Sequence, residues 1–213
     1  AAFPEAYIPD RSGPIWGSRV RSGGCQGCPM AKTFDTIDPK LRAFIEKQKM
    51  FFVASAPLTP DGHVNLSPKG LNGTFAVLDE GSVAYLDFIG SGVETIAHIR
   101  ENGRICMMFC AVEGPPRIVR IHGVGDAIEP GDEEFEALRA RFDDYPGVRA
   151  IVRIRASRIS DSCGYGVPLY EYTGERDQLQ RWAERKGADA LAEYQRDKNS
   201  ESLDGLPSGL RDH

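Results

Sequence analysis

A succession of short apolar runs, each cut off by turn-forming residues, constrains this chain more than any other feature. The runs at 51–56, 73–78, 83–88, 104–110, 117–125 and 150–156 are interrupted by Thr59-Pro-Asp-Gly62, Asp79-Glu-Gly81 and Gly114-Pro-Pro116. Runs of this length with turn chemistry between them form antiparallel strands, whereas an amphipathic helix needs a longer stretch of 3.6-residue period. The run 51–56 is apolar on both faces, as in a barrel strand covered inside and out. The Pro-Asp-Gly turn predicts a hairpin joining it to a strand at 63–67. Many short strands of this kind imply a mainly β (α+β) architecture, a closed antiparallel barrel with a few flanking helices.

The helices carry their own signals. Asp38 stands as N-cap before Pro39, and Leu41, Phe44, Ile45 and Gln48 follow at helical spacing. Residues 132–145 predict an amphipathic helix with Phe135, Leu138 and Phe142 on one face. Beyond Gly174 the pattern is helical again, with Leu179, Trp182 and Ala183 apolar. Gly187 ends one helix there, and a second runs over about 189–198. Residues 1–29, rich in Gly, Pro, Arg and Ser and without sustained periodicity, are expected to be an N-terminal extension outside the core fold. That leaves 30–173 as the main domain and 174–213 as a helical tail packing on the barrel or on a partner subunit.

Composition narrows the function classes. With 213 residues, 41% hydrophobic and 27% charged, the chain can bury a substantial core. A net charge of −5 gives no global support for nucleic acid or an anionic membrane as partner. No apolar run approaches the roughly 20 residues of a membrane helix, and no secretory signal is visible, so a cytoplasmic location is expected. Cys106 and Cys110 share a strand face about 13 Å apart, too far to bridge, and read as small buried hydrophobes. Cys25 and Cys28 form a Cys-x-x-Cys without the second pair or the βαβ context that zinc or redox chemistry would need, and no metal site is expected.

The chemistry concentrates around one strand, turn and helix start. The strand 83–88 runs into Gly90-Ser-Gly92 and then into a helix beginning near Glu94 and Thr95. Such a junction presents free backbone N–H groups to an anion, with Ser91 and Thr95 as hydroxyl donors. The same residues also suit an ordinary capped turn, with Ser91 as N-cap and Glu94 closing a capping box. Asn65, Ser67 and Lys69 alternate onto one face of the hairpin strand. There Lys69 can reach a phosphate or stand as a solvated edge lysine. Arg120 and His122 share a strand face opposite Val119 and Ile121, which suits an anion or a subunit contact. His98, one turn beyond Glu94, has the position of a packed or surface histidine. No serine, cysteine or paired-carboxylate hydrolase pattern is present.

Taken together, 64–70, 83–99 and 114–123 resemble the pyridoxamine 5'-phosphate oxidase-like flavoproteins, in particular their broad bacterial branch. The likeness covers roughly 34–206, including 164–170 and 199–207. It implies a split β-barrel of antiparallel Greek-key type with flanking helices, forming a homodimer that holds FMN between subunits. Carried onto this chain, Asn65, Ser67 and Lys69 meet the cofactor from the second strand, with Gly90, Ser91, Gly92 and Thr95 at the phosphate. Glu94 is expected to cap the helix or orient Lys69, because a carboxylate beside a phosphate would repel it. Asp87 and Phe88 would border the flavin ring, while Arg120, Tyr165 or Trp182 of a partner would close the pocket. True pyridoxamine phosphate oxidases carry an arginine-rich grip with a C-terminal Arg-x-His element. This chain ends Arg211-Asp-His213 in what reads as a loose tail, so vitamin B6 oxidation is not expected. The resemblance implies an FMN-dependent oxidoreductase acting on a small organic substrate. Its alternatives are a non-catalytic flavin or haem carrier or sensor, and a deazaflavin-dependent reductase.

Overall fold

The computed structural model describes residues 32–211. The extension 1–29, the Cys25/Cys28 pair and His213 lie outside the described residues. The strands are β1 (Thr33–Phe34), β2 (Met50–Ser55), β3 (Asn65–Gly70), β4 (Phe75–Val77), β5 (Ser82–Phe88), β6 (Arg104–Cys110), β7 (Ile118–Ile128) and β8 (Val148–Ser162). Four helices join them: α1 (Pro39–Lys47), α2 (Glu94–Asn102), α3 (Phe135–Arg139) and α4 (Gln178–Lys198). The strands form one antiparallel sheet in the order β3-β2-β6-β7-β8-β5-β4, with β1 added to β8. This is the split barrel that the strand pattern and the resemblance imply.

Local chemistry explains the elements. Asp38 accepts the backbone N–H of Leu41 at 2.7 Å, capping α1 as its Asp-Pro start predicts. That helix buries Leu41 and Ile45 against the barrel interior. In β2, Phe51, Val53 and Ser55 point inward while Phe52 and Ala54 are half-covered outside. Phe51, Phe75, Tyr85 and Phe109 fill the centre with ring centroids 5.3 to 5.7 Å apart. At the far end Leu86, Ile128, Phe135, Phe142 and Ile151 form a second cluster.

Several boundaries differ from the sequence reading. β3 runs over Asn65–Gly70 rather than 63–67, because Ser55 pairs Asn65 and residues 56–64 make a wider loop containing the expected turn. β7 and β8 are longer than their apolar runs, since polar residues continue each ladder on its outer face. The helix expected over 132–145 shrinks to α3. Past Arg139 the chain continues in tighter turns, with Arg141 N–H bonded to Leu138 and Phe142 N–H to Arg139. Phe142 still reaches the core. In α4 Gly187 takes φ +71° and divides two helical halves, where the sequence places the break.

Candidate functional site

β3 and β5 share no backbone hydrogen bonds, and the seam between them is bridged by side chains. Lys69 Nζ donates to Asp87 Oδ1 across it at 2.8 Å. Strand alternation turns Asn65, Ser67 and Lys69 to this seam while Leu66 and Pro68 face outward. Asp87 itself is 1% exposed, and Arg149 Nε donates to its other oxygen at 2.7 Å. Burial pushes the Asp87 pKa up, but Arg149 and Lys69 outweigh it and hold the carboxyl down at about 2. Two cations on one carboxylate leave this interior cluster with a formal charge of +1.

Arg149, 6% exposed, also donates through Nη2 to the carbonyl of Gly92 at 2.9 Å. Its remaining nitrogen, Nη1, is buried with no partner among the described residues. The guanidinium therefore joins the seam to the glycine turn that opens α2. Sequence reasoning missed Arg149. Its one signal is a charge at the second position of a strand whose next three residues are all buried and apolar.

A second network of hydrogen bonds runs through the other polar residues of β3. Asn65 Nδ2 donates to Thr95 Oγ1 at 3.0 Å and to Ser55 Oγ at 3.2 Å. Ser67 Oγ donates to Asn65 Oδ1 at 2.8 Å. Ser55 Oγ is in turn hydrogen-bonded to Nδ1 of His98 at 3.0 Å. His98 is fully buried on the inner face of α2, a packed histidine as its position suggests. The Tyr85 hydroxyl, against Thr95, is buried so deeply that its pKa rises well above the usual value and it stays a donor.

The turn itself is held from three sides. Gly90 and Gly92 offer their carbonyls to Asn199 Nδ2 (2.9 Å) and to Arg149, and Ser91 is exposed between them. The expected capping box does not form. Val93 occupies the N-cap position without a side-chain bond, and Glu94 begins the helix. Nor does Glu94 orient Lys69: its carboxylate accepts the backbone N–H of Leu203 at 3.1 Å. The segment after α4 thus straps across the helix start, with Asn199 wholly buried and Asp204 bonded to His63 Nδ1 at 2.6 Å. Arg211, expected in a loose tail, is anchored. Its backbone N–H reaches Glu129 at 2.7 Å and its side chain pairs with Asp132.

The other candidates sit elsewhere in the protomer. Phe88 packs edge-on to Tyr145 at 5.8 Å. Arg120, on the outer face of β7, donates to Ser162 Oγ at 3.0 Å, and Tyr165 is 75% exposed in the loop after β8. Trp182 packs edge-on against Tyr194 at 5.1 Å on α4. None of Arg120, Tyr165 and Trp182 joins the Lys69 cluster. Cys106, Cys110 and Cys163 are free thiols, and burial pushes the first two up in pKa. On the outer sheet face a groove of about 790 Å³ lies among Met50, Phe52, Met108, Tyr170 and Tyr172, a feature the sequence reading did not anticipate. Among the described residues no group of His, Cys, Asp and Glu could hold a metal, and no helix is long and apolar enough to cross a membrane.

A split barrel with a buried cationic cluster at its β3–β5 seam, under a glycine turn, defines the class. The family model for pyridoxamine 5'-phosphate oxidase matches residues 37–163. A pyridoxamine 5'-phosphate oxidase family protein of Aspergillus flavus, ustO, is 39% identical over 198 residues, covering 84% of this chain and 79% of that protein. The chain therefore belongs to the pyridoxamine 5'-phosphate oxidase family. That relative is fungal, so the likeness does not single out the bacterial branch. Among solved structures, HupZ of Group A Streptococcus aligns with a TM-score of 0.45 at 21% identity, over 58% of this chain and 91% of that one, and its H111A variant with a TM-score of 0.46 at 21% identity, over 59% and 99%. An FMN-binding protein of Syntrophomonas wolfei aligns with a TM-score of 0.44 at 14% identity, over 56% and 82%.

Proposed function

We propose that this protein is a flavin-binding oxidoreductase that holds FMN at the β3–β5 seam and acts on a small organic substrate. The observation that carries this reading is the Lys69–Asp87–Arg149 cluster beneath the first turn of α2. A formal charge of +1, a guanidinium nitrogen without a partner and the positive end of a helix together fit a phosphate. In this reading Lys69, Ser91, Thr95 and the backbone of Gly92 hold the phosphate, while Ser67 and Phe88 face the rest of the cofactor. Asp87 acts from below, fixing both cations rather than touching the ring. FMN supplies two-electron hydride chemistry when bound; the chain supplies binding, orientation and exclusion of water.

The proposal includes a homodimer. Arg120, Tyr165 and Trp182 lie away from the seam of their own protomer, where they are free to close the pocket of a second copy. A cytoplasmic location accords with the free thiols among the described residues.

The test is the visible spectrum of purified protein before and after loading with FMN and desalting. Retained flavin bands near roughly 370 and 450 nm are expected. Replacing Lys69 and Ser91 together by Ala is expected to abolish retention while leaving the fold intact. Retention unchanged in that variant would remove the phosphate assignment, and no retained chromophore in the wild type would remove the flavin.

A further inference from the structure

The polarity of the Asn65 network assigns different tasks to the two hydroxyls that flank it. A hydroxyl has one proton and two acceptor positions, and an amide nitrogen has two protons and none. Asn65 Nδ2 spends its protons on Ser55 and Thr95. Thr95 Oγ1 is thereby an acceptor toward Asn65, and its own proton is left for the buried Tyr85 oxygen beside it or for a ligand that displaces that contact. Ser67 is the reverse. Its proton goes to Asn65 Oδ1, so it offers only lone pairs to a ligand. The network continues at the buried end, where Ser55 hydrogen-bonds His98 Nδ1. With the His98 proton on Nε2, Ser55 donates to His98 and is left to accept from Asn65.

We propose that Asn65, backed by Ser55 and His98, is a positioning residue rather than a cofactor ligand. It divides the site into a donor half at Thr95, for an anionic oxygen, and an acceptor half at Ser67, for a hydroxyl or N–H of the same ligand. The inference rests on the flavin reading above, and it specifies which end of the cofactor each hydroxyl serves.

FMN and riboflavin differ only in the phosphate, so paired titrations of both flavins isolate the donor half. Wild-type protein is expected to prefer FMN. Thr95→Val is expected to cost FMN about tenfold in affinity, as for a hydrogen bond to a charged group, with riboflavin unchanged. Thr95→Ser restores the preference, and Ser67→Ala weakens both flavins alike. Asn65→Asp can only accept, so it turns the Thr95 proton inward and lowers the FMN preference by a similar factor. In a Thr95→Val background that substitution has no further effect on the preference. If Asn65→Asp lowers the preference as much in the Thr95→Val background, it acts by charge alone and the inference fails. Should Asn65→Asp not fold, the Thr95 and Ser67 variants decide, because Thr95→Val weakening both flavins equally overturns the division. Wild-type protein that prefers neither flavin but binds both also overturns it while the flavin reading stands. Wild-type protein that binds neither overturns both.

Discussion

Asp87 shows how much of the site depends on one carboxylate. Both of its oxygens are taken by cations, one of them nearly as buried as itself. Its pKa is about 2 in the folded chain against an ordinary 3.8. A lowered folded-state pKa contributes stability that is fully present above the unfolded value and is lost as pH falls through the folded one. Stability worth on the order of 2 kcal/mol should therefore drain away between about pH 4 and pH 2. Asp87→Asn should remove that acid dependence and, by leaving Lys69 and Arg149 uncompensated, cost about 3–5 kcal/mol at neutral pH. Urea denaturation at stepped pH reads both effects, and an unchanged acid slope in the variant would show that Asp87 is not the group responsible. At this scale half of the site was legible in the sequence. Alternation along a polar strand puts Asn65, Ser67 and Lys69 together, but Arg149 meets Asp87 across 62 positions of chain, and nothing local announces that pairing.

Elements were legible where the signal is local and obscure where tertiary pairing decides. The cap at Asp38 and the break at Gly187 are written in single residues, and both stand. The lengths of β7 and β8 are set by each other. Their ladder runs from Ile118 with Ser162 to Ile128 with Ile151, through residues too polar to read as strand. That ladder also contains a register shift at His122/Gly123, where the two backbones come close. A Cβ on Gly123 would lie 2.2 Å from the carbonyl oxygen of Arg155, whereas one on Gly187 would meet nothing within 4 Å. Gly123→Ala must therefore displace backbone and should cost about 3 kcal/mol. Gly187→Ala meets no neighbour and incurs only the backbone strain of φ +71°, ψ 170°, about 2 kcal/mol. Thermal denaturation of the two variants checks the order, and equal losses would mean that the bulge relaxes freely.

For the whole molecule, assembly has a physical handle in the outer face of the sheet. Sequence alternation could not show that the loop after β8 folds back over that face. Tyr170 N–H bonds the carbonyl of Val112, bringing Tyr170 and Tyr172 beside Met50 and Phe52. Tyr170 on this groove and its neighbour Leu169 are 63% and 74% exposed, two large apolar side chains adjacent in the loop. If a second copy covers this face, the homodimer proposed above places the same contact beside its shared pocket. Leu169→Asp with Tyr170→Asp should then give a folded protein at half the solution mass of the wild type, measured by light scattering. If the pocket draws on both copies as proposed, the same variant should also lose FMN, although it leaves Lys69, Asp87 and Arg149 untouched. A monomer that keeps FMN at wild-type affinity would separate the two ideas, leaving the seam as a complete site within one chain and Arg120, Tyr165 and Trp182 without a part in it.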